Sequence, residues 1–491
     1  MHPMLNDWIN NLLSLLVYDV HRPLLFNSMF FFVFFLILLV FYQFVIQKVK
    51  LRTWYLLVFS LYFYYKTSGV FVLLLVATAF VNFLISDWIY NSDSEKKRKW
   101  FFTLSVFWNL GTLGYYKYTN FFFSILNDIG HLNLQHVDIF LPIGISFFTF
   151  QTMSYTFDIY RRNLVPLKSF ADFCFFVSFF PQLVAGPIVR ATDFLPQIHK
   201  KISLNKEQIA SALFLIIGGL VKKAIIADYV SINFVDRVFS EPGRFSGVEN
   251  LIGIYGYALQ IYCDFSGYSD IAIGLARLMG FELRINFDLP YRSASVTEFW
   301  RRWHISLSSW LKDYLYISLG GNRKGKLRQY INLMITMLLG GLWHGASWNF
   351  VFWGGIHGIG LVFDKLIMKW RFLATKFGKI MGVIVTFNFV CFAWIFFRAP
   401  DFASAGVMLK QIFTAFQPSI FFDWIKDFRG VAILILLGYI MHYVPKKFDD
   451  FSEKLLFKLP IPAQALLVTI VIWVMFQVKS SDIQPFIYFQ F

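Results

Sequence analysis

Residues 298–325 read EFWRRWHISLSSWLKDYLYISLGGNRKG, and residues 337–358 read MLLGGLWHGASWNFVFWGGIHG. The first stretch is basic, aromatic and amphipathic. The second lies inside an uncharged segment, Gln329 to Phe363, with no Asp, Glu, Lys or Arg, and it carries His344 and His357. A bilayer is crossed by about 20 apolar residues, and ionisable groups at that depth mark functional positions. A basic surface leading at once into a histidine-bearing uncharged segment points to a charged small molecule held at a membrane face while chemistry happens within the bilayer. The rest of the chain then reads as scaffold.

Composition supports a membrane setting. Of 491 residues, 57% are hydrophobic and 15% charged, against about 25% charged in ordinary soluble domains. The expected fold is an all-α polytopic membrane protein of about eleven to twelve transmembrane helices, with re-entrant and interfacial helices around a central tunnel. Residues 1–491 are expected to form one integral-membrane domain, with residues 284–363 as its catalytic core region. A formal charge of +16 would suggest nucleic acid in a soluble protein, but here it reads as positively charged cytoplasmic loops facing membrane lipids. Cys174, Cys263 and Cys391 are widely spaced in apolar segments and read as buried thiols, neither a disulfide framework nor a metal set. His2, His21, His131, His136, His199 and His442 fit no metal-ligand spacing, so no metal and no bound cofactor are expected.

Along the chain, residues 1–23 carry Leu5, Trp8, Ile9, Leu12, Leu13 and Leu16 at helical spacing, which predicts a helix lying in the membrane interface. Leu24 to Ile46 is the first clear span. Basic clusters at Lys48, Lys50 and Arg52, and at Lys96 to Lys99, enclose two further apolar runs. Both clusters face the cytoplasm if those runs are a pair of crossings, which puts the N-terminus outside. Phe170 to Ile188 holds two prolines and a glycine between basic flanks and predicts a segment that dips in and returns. The stretch from Arg284 to Arg328 is placed on the cytoplasmic side. No internal repeat is visible, which counts against a secondary transporter.

Three groups of residues could carry chemistry. If Trp300 to Leu319 is one helix, Arg301, His304 and Ser308 share a face. Between Arg292 and Arg328, eight basic residues stand against Glu298 and Asp313. That excess suits a phosphorylated ligand, and it equally suits a basic helix on anionic lipids. His344, flanked by Gly340, Gly341 and Gly345, could take a proton from a hydroxyl attacking an acyl carbon. It could also simply hydrogen-bond a neighbouring helix. His357 reads as helix packing. Asp264, Tyr268 and Asp270, late in a span, could act in catalysis, but the expected role is structural, the acids pairing with an Arg of the 284–302 region.

At these residues the chain resembles the membrane-bound O-acyltransferases, in particular the bacterial branch of alginate and other polysaccharide O-acetyltransferases. The likeness runs through YYKYTNFF (115–122), LPIGISFFTFQ (141–151), FFPQLVAGPIVR (179–190), IYCDFSGYSDIAIGLAR (261–277), FWRRWHISLSSWLKDYLYISLGG (299–321), LLGGLWHGASWNF (338–350) and FIYFQF (486–491). Lys312, where the family often has Arg, and Ser318, where Pro is common, depart from the pattern. The resemblance implies that His344 is the catalytic histidine and His304 the second active-site histidine. Trp303, Ser308, Asp313, Trp343 and Asn349 would support them, and Arg301, Arg302, Lys312 and Arg323 would bind the donor. It implies acetyl-CoA as cytoplasmic acyl donor. It further implies a polysaccharide hydroxyl as acceptor, reached through an SGNH-like extracytoplasmic acetyltransferase at the bacterial inner membrane. D-alanyl transfer to teichoic acid is the nearest alternative. A non-enzymatic polysaccharide transporter, or a scaffold that recruits a soluble enzyme, is a more distant one.

Overall fold

The computed structural model describes residues 16–20, 23–184, 186–367, 375–478 and 486–487. The interfacial helix expected over residues 1–23 falls mostly outside these. The described residues pack as two units, residues 1–204 with 279–283, and residues 205–278 with 284–491.

In the first unit, α1 (Met29–Val45) is a Phe- and Leu-rich run whose N-terminus is capped by Ser28, the hydroxyl accepting from Phe31 N at 3.2 Å. Leu36, Phe41 and Phe44 on its outer side are exposed, as a lipid-facing surface requires. α2 (Val49–Ser68) and α3 (Val72–Asn91) are separated by one turn of 3-10 helix at Gly69–Phe71. α4 (Glu95–Leu113) runs through a π-helical turn into α5 (Thr119–Gly130), and α6 is Ile145–Tyr160. A polar ladder joins α3, α4 and α6. Asn82 and Asn109 exchange amide hydrogen bonds (2.7 and 3.3 Å), Ser105 donates to Asn82 (2.8 Å), and Thr152 donates to Asn109 (2.8 Å). Such side-chain bonds hold helices together where water and hydrophobic contrast are absent.

Arg52 is not the free cytoplasmic charge that its place in a basic cluster suggested. It is fully buried, and its guanidinium donates to the carbonyls of Ile46 (3.0 Å), Ile198 (2.6 Å) and Lys200 (2.8 Å). The proline-containing segment, expected to dip in and return, is interrupted. α7 (Phe170–Ser178) gives way to a one-turn helix at Phe180–Leu183 and a non-helical stretch before α8 (Ala191–Ile198). The freed carbonyl of Phe176 accepts from the amides of Gln151 and Gln182.

The second unit is built on α10 (Gly247–Leu278), a 32-residue helix buried along most of its length. Before it comes α9 (Lys206–Leu220), opened by a capping box between Asn205 and Gln208 and prolonged by π-helical turns at Val221–Ala227 and Ser231–Val235. Glycines let α9 and α10 touch backbone to backbone: a Cβ at Gly267 would meet the Gly219 carbonyl at 2.7 Å, and one at Gly274 the Ala212 carbonyl at 2.7 Å. After α10 follow α11 (Val296–Arg302), α12 (Ile305–Trp310), a π-helical turn at Leu311–Tyr316, α13 (Lys326–His344), α14 (Trp348–Ile367) and α15 (Lys376–Arg398). The chain closes with α16 (Phe402–Thr414), α17 (Ile420–Asp427), α18 (Arg429–Tyr443), α19 (Lys446–Lys458) and α20 (Ile461–Val478).

The fold is that of an all-α polytopic membrane protein. Among the described residues, four helices are long and apolar enough to cross a bilayer: Val49–Asn91, Lys206–Ser240, Trp348–Ile367 and Lys376–Arg398. Arg429–Tyr443 with Lys446–Lys458, bent by 97°, makes a fifth if counted as one span. The expected count was higher. Several apolar runs form shorter helices, such as Met29–Val45, or are interrupted, as at residues 178–190.

Candidate active site

His304 sits where α11 ends and α12 begins. Its backbone is left-handed (φ 44°, ψ 54°), a conformation that costs a non-glycine residue roughly 1–3 kcal/mol. The single helix expected across Trp300 to Leu319 therefore breaks at this residue, and Arg301, His304 and Ser308 do not share a helical face. What holds the break is the segment at Asn286. Ile305 N donates to the Asn286 carbonyl (2.9 Å) and Asp288 N to the Arg302 carbonyl (2.9 Å). The Asn286 side-chain oxygen accepts from Ser306 N (3.1 Å) and Ser306 Oγ (2.9 Å) and lies 3.2 Å from His304 Nδ1. His304 is fully buried, edge-on to Phe265 of α10 with ring centres 4.6 Å apart. It lies outside the long apolar helices, and burial, outweighing an opposing backbone hydrogen bond, pushes its imidazole pKa down to about 3, so the ring is neutral at physiological pH.

His344 is the last residue of α13 and is buried. Its ring centre lies 6.5 Å from that of His304, 5.0 Å from Trp353 on α14 and 5.4 Å from Phe397 on α15. The glycines around it serve close packing as much as backbone bending. A Cβ on Gly341 would overlap the Phe350 carbonyl, one on Gly354 the Met337 carbonyl, and one on Gly345 the Phe350 ring. α13 and α14 thus touch through glycine, which fixes the helix end that carries His344. Trp343 is buried against both histidine rings. Trp303 stacks on Phe299 (5.5 Å, 16°) and meets Trp394. Asn349 ties the start of α14 to the end of α15 by donating to the Ala399 carbonyl (3.0 Å). His357 packs as expected, buried and accepting from Trp300 Nε1 at 3.3 Å.

A cavity of about 490 Å³ opens beside this core, within the range of small-molecule sites. Arg301, Lys312 and Arg323 line it with Ser308 and Lys365, and Thr336 and Met337 of α13 line it too. Met337 precedes His344 by seven residues on α13, about 10 Å along the axis, so one helix carries both the cavity wall and the histidine. Of the four expected donor-binding residues, Arg302 alone does not line the cavity. It is bound to Glu298 (2.9 Å) and faces Asp288 (3.6 Å), which also takes Lys446 (2.6 Å). Asp313 lies in the π-helical turn following α12.

The α10 acids do not pair with an arginine of the 284–302 region. Lys223 Nζ lies 2.6 Å from Asp264 and 2.6 Å from Asp228, and Lys222 pairs with Asp270. Lys222 and Lys223 sit in the apolar run IIGGLVKKAIIADYV (216–230), and two charges there are themselves the signal for buried partners. Asn286, which organises His304, carries no comparable signal.

These features define a multi-pass helical membrane protein with a buried histidine pair beside a basic cavity. Comparison with known proteins places it further: the MBOAT (membrane-bound O-acyltransferase) family matches residues 62–400. The chain is 37% identical over 386 residues to the peptidoglycan O-acetyltransferase of Helicobacter pylori, covering 72% of each chain. It is 40% identical over 372 residues to a probable alginate O-acetylase, AlgI, of Pseudomonas aeruginosa, covering 74% of this chain and 70% of that one. It is 30% identical over 282 residues to the teichoic acid D-alanyltransferase of Streptococcus thermophilus, over 52% of this chain and 68% of that one. The chain belongs to the membrane-bound O-acyltransferase family and is an O-acyltransferase.

Proposed function

We propose that this O-acyltransferase moves acetyl from acetyl-CoA, taken up on the cytoplasmic side, to a hydroxyl on the far side of a bacterial inner membrane. The acetyl group is destined for an extracytoplasmic polysaccharide such as alginate, through an SGNH-like partner acetyltransferase, and the N-terminus lies outside the cytoplasm. The observation that carries the reading is the placement of His344 at the end of α13, beside His304, with the basic cavity opening along the same helix. The phosphates of a CoA-type donor match Arg301, Lys312 and Arg323 in charge, while the thioester end is directed along α13 into an aromatic, water-poor surrounding.

In the reaction, the acceptor hydroxyl attacks the thioester carbonyl carbon. The C–O bond forms, the C–S bond breaks, the hydroxyl proton passes to His344 as general base, and the departing thiolate is protonated in turn. Acetyl thus crosses as a reacting group and the charged donor stays where it bound. Acetyl is favoured over D-alanyl because the acetyltransferase relatives match at higher identity and over more of the chain.

The test is to incubate the purified protein with acetyl-labelled acetyl-CoA, with and without a candidate extracytoplasmic partner, comparing wild type and His344→Ala. CoA release and label transfer are expected in the wild type and absent in the variant at equal membrane level. Transfer retained by His344→Ala removes the assignment of the base. Ester-linked D-alanine in place of acetate in the envelope would reassign the acyl group.

A further inference from the structure

Which nitrogen of His304 carries the ring proton is set at Asn286. This residue is 1% exposed, and Ser306 settles which way its amide points. A backbone N–H only donates, so the Asn286 atom 3.1 Å from Ser306 N is the oxygen; Ser306 Oγ donates to the same atom at 2.9 Å. An amide oxygen only accepts. His304 Nδ1, 3.2 Å from that oxygen, therefore carries the ring proton. A neutral imidazole has one N–H, so Nε2 holds a lone pair and no proton. The left-handed backbone at His304, clamped by Ile305 N on the Asn286 carbonyl, keeps the ring in this register.

We infer that Asn286 is a positioning residue that fixes His304 in its Nδ1–H tautomer, so that Nε2 serves acyl transfer as a hydrogen-bond acceptor and not as a donor to the oxyanion. The inference rests on the reading of His304 as an active-site residue. The ligand chemistry that Nε2 suits is an N–H or O–H donor close to the reacting carbonyl. The amide N–H two carbons from the sulfur of a pantetheine thioester is such a group, and its capture would turn the thioester carbonyl toward His344. At 6.5 Å between centres, the two rings are too far apart for a direct hydrogen bond. The substitution below therefore acts through His304 without a direct bond to His344. Among titratable groups, His344 on α13 faces the His304 ring, and Asp264 and Tyr268 lie on the α10 turn that presents Phe265 to it. Asp264 is ion-paired with Lys223.

Asn286→Asp keeps the shape and the accepting oxygen but adds a negative charge beside Nδ1–H. A neighbouring carboxylate raises a histidine pKa by about 1–3 units, so His304 in the variant becomes protonated at Nε2 as pH falls. An acceptor role predicts that the acid limb of kcat/KM for the donor moves to higher pH by about one unit or more, because protonated Nε2 no longer captures the donor amide N–H. A donor role predicts the opposite, activity sustained or raised as pH falls, and that result overturns the inference. A profile superimposable on the wild type makes Asn286 merely structural and overturns it too. His304→Ala is run in parallel: full activity there removes His304 from the centre altogether, while an inactive His304→Ala beside an unshifted Asn286→Asp rejects only the positioning role. Should Asn286→Asp fail to fold, 15N-histidine NMR of the wild-type protein reads the tautomer directly, using the resonance missing in His304→Ala. A protonated Nδ1 with bare Nε2 is expected, and a protonated Nε2 overturns the inference.

Discussion

Replacing Lys223 by methionine keeps the length and apolar stem of the side chain and deletes one positive charge shared by two carboxylates. Lys223 Nζ lies 2.6 Å from Asp228 and 2.6 Å from Asp264, with side-chain exposures of 1%, 17% and 6% for the three residues. At an effective dielectric of about 20, each contact is worth roughly 6 kcal/mol of attraction before desolvation is counted. Desolvation offsets much of that. What the substitution leaves is Asp264, held in place by the Ile487 backbone N–H at 3.1 Å and deprived of its counter-charge. Stranding a buried charge costs about 3–5 kcal/mol. For a unit of this size that lowers Tm on the order of 5–10 °C. The protein carries its own reporters, since Cys174, Cys263 and Cys391 are all buried free thiols. Heating in detergent with a thiol-reactive dye follows their exposure. Lys223→Met/Asp264→Asn, which removes one stranded charge with the lysine, should recover part of the loss. A Lys223→Met protein melting within about 1 °C of wild type would refute the reasoning, as would a double variant whose loss is the sum of the singles.

Lys312→Gln and Arg323→Gln should each raise donor KM about three- to tenfold with kcat little changed, and the effect should shrink as salt rises. Steady-state kinetics at two ionic strengths check this, with Arg302→Gln, outside the cavity, expected to leave KM unaltered. Gly354→Ala drives a Cβ into the Met337 carbonyl and should cost about 1–3 kcal/mol through overpacking, with transfer activity lost as the helix bearing His344 shifts. Gly355→Ala, whose Cβ would sit 3.6 Å from Leu338 in ordinary contact, is the matched control, and folded yield with acetyl transfer is the readout.

Much of the fold was legible because its signals are local. Long apolar runs between basic clusters specify helices in a bilayer whatever their neighbours, and the break at 178–190 follows from Pro181 and the glycine that succeeds it. The burial of His344 was legible from its uncharged surroundings. Less legible was anything that depends on which helices meet. Arg52 looks like the end of a basic cluster, yet three carbonyls distant in sequence or across a helix end turn it into a buried brace. Asp264 and Asp270 called for cations, but only the three-dimensional arrangement shows that Lys222 and Lys223, some forty residues earlier, supply them instead of an arginine downstream.

The helix expected over residues 300–319 is interrupted for a different reason. Its amphipathic spacing is genuine, and an uninterrupted helix is what that spacing favours locally. The Asn286 segment overrides it, exchanging helical hydrogen bonds at His304 for cross-strand-like bonds from Ile305 and Asp288. Strained or irregular backbone of this kind persists only where surrounding structure over-determines it, and it gathers at working sites. Here the left-handed histidine, the π-helical turn at Leu311–Tyr316 beneath the cavity and the helix end at His344 are neighbours. A continuous helix would place the His304 ring on a helical face, beyond the reach of the amide that orients it. The departure from local preference is thus what brings two imidazoles to within 6.5 Å of one another.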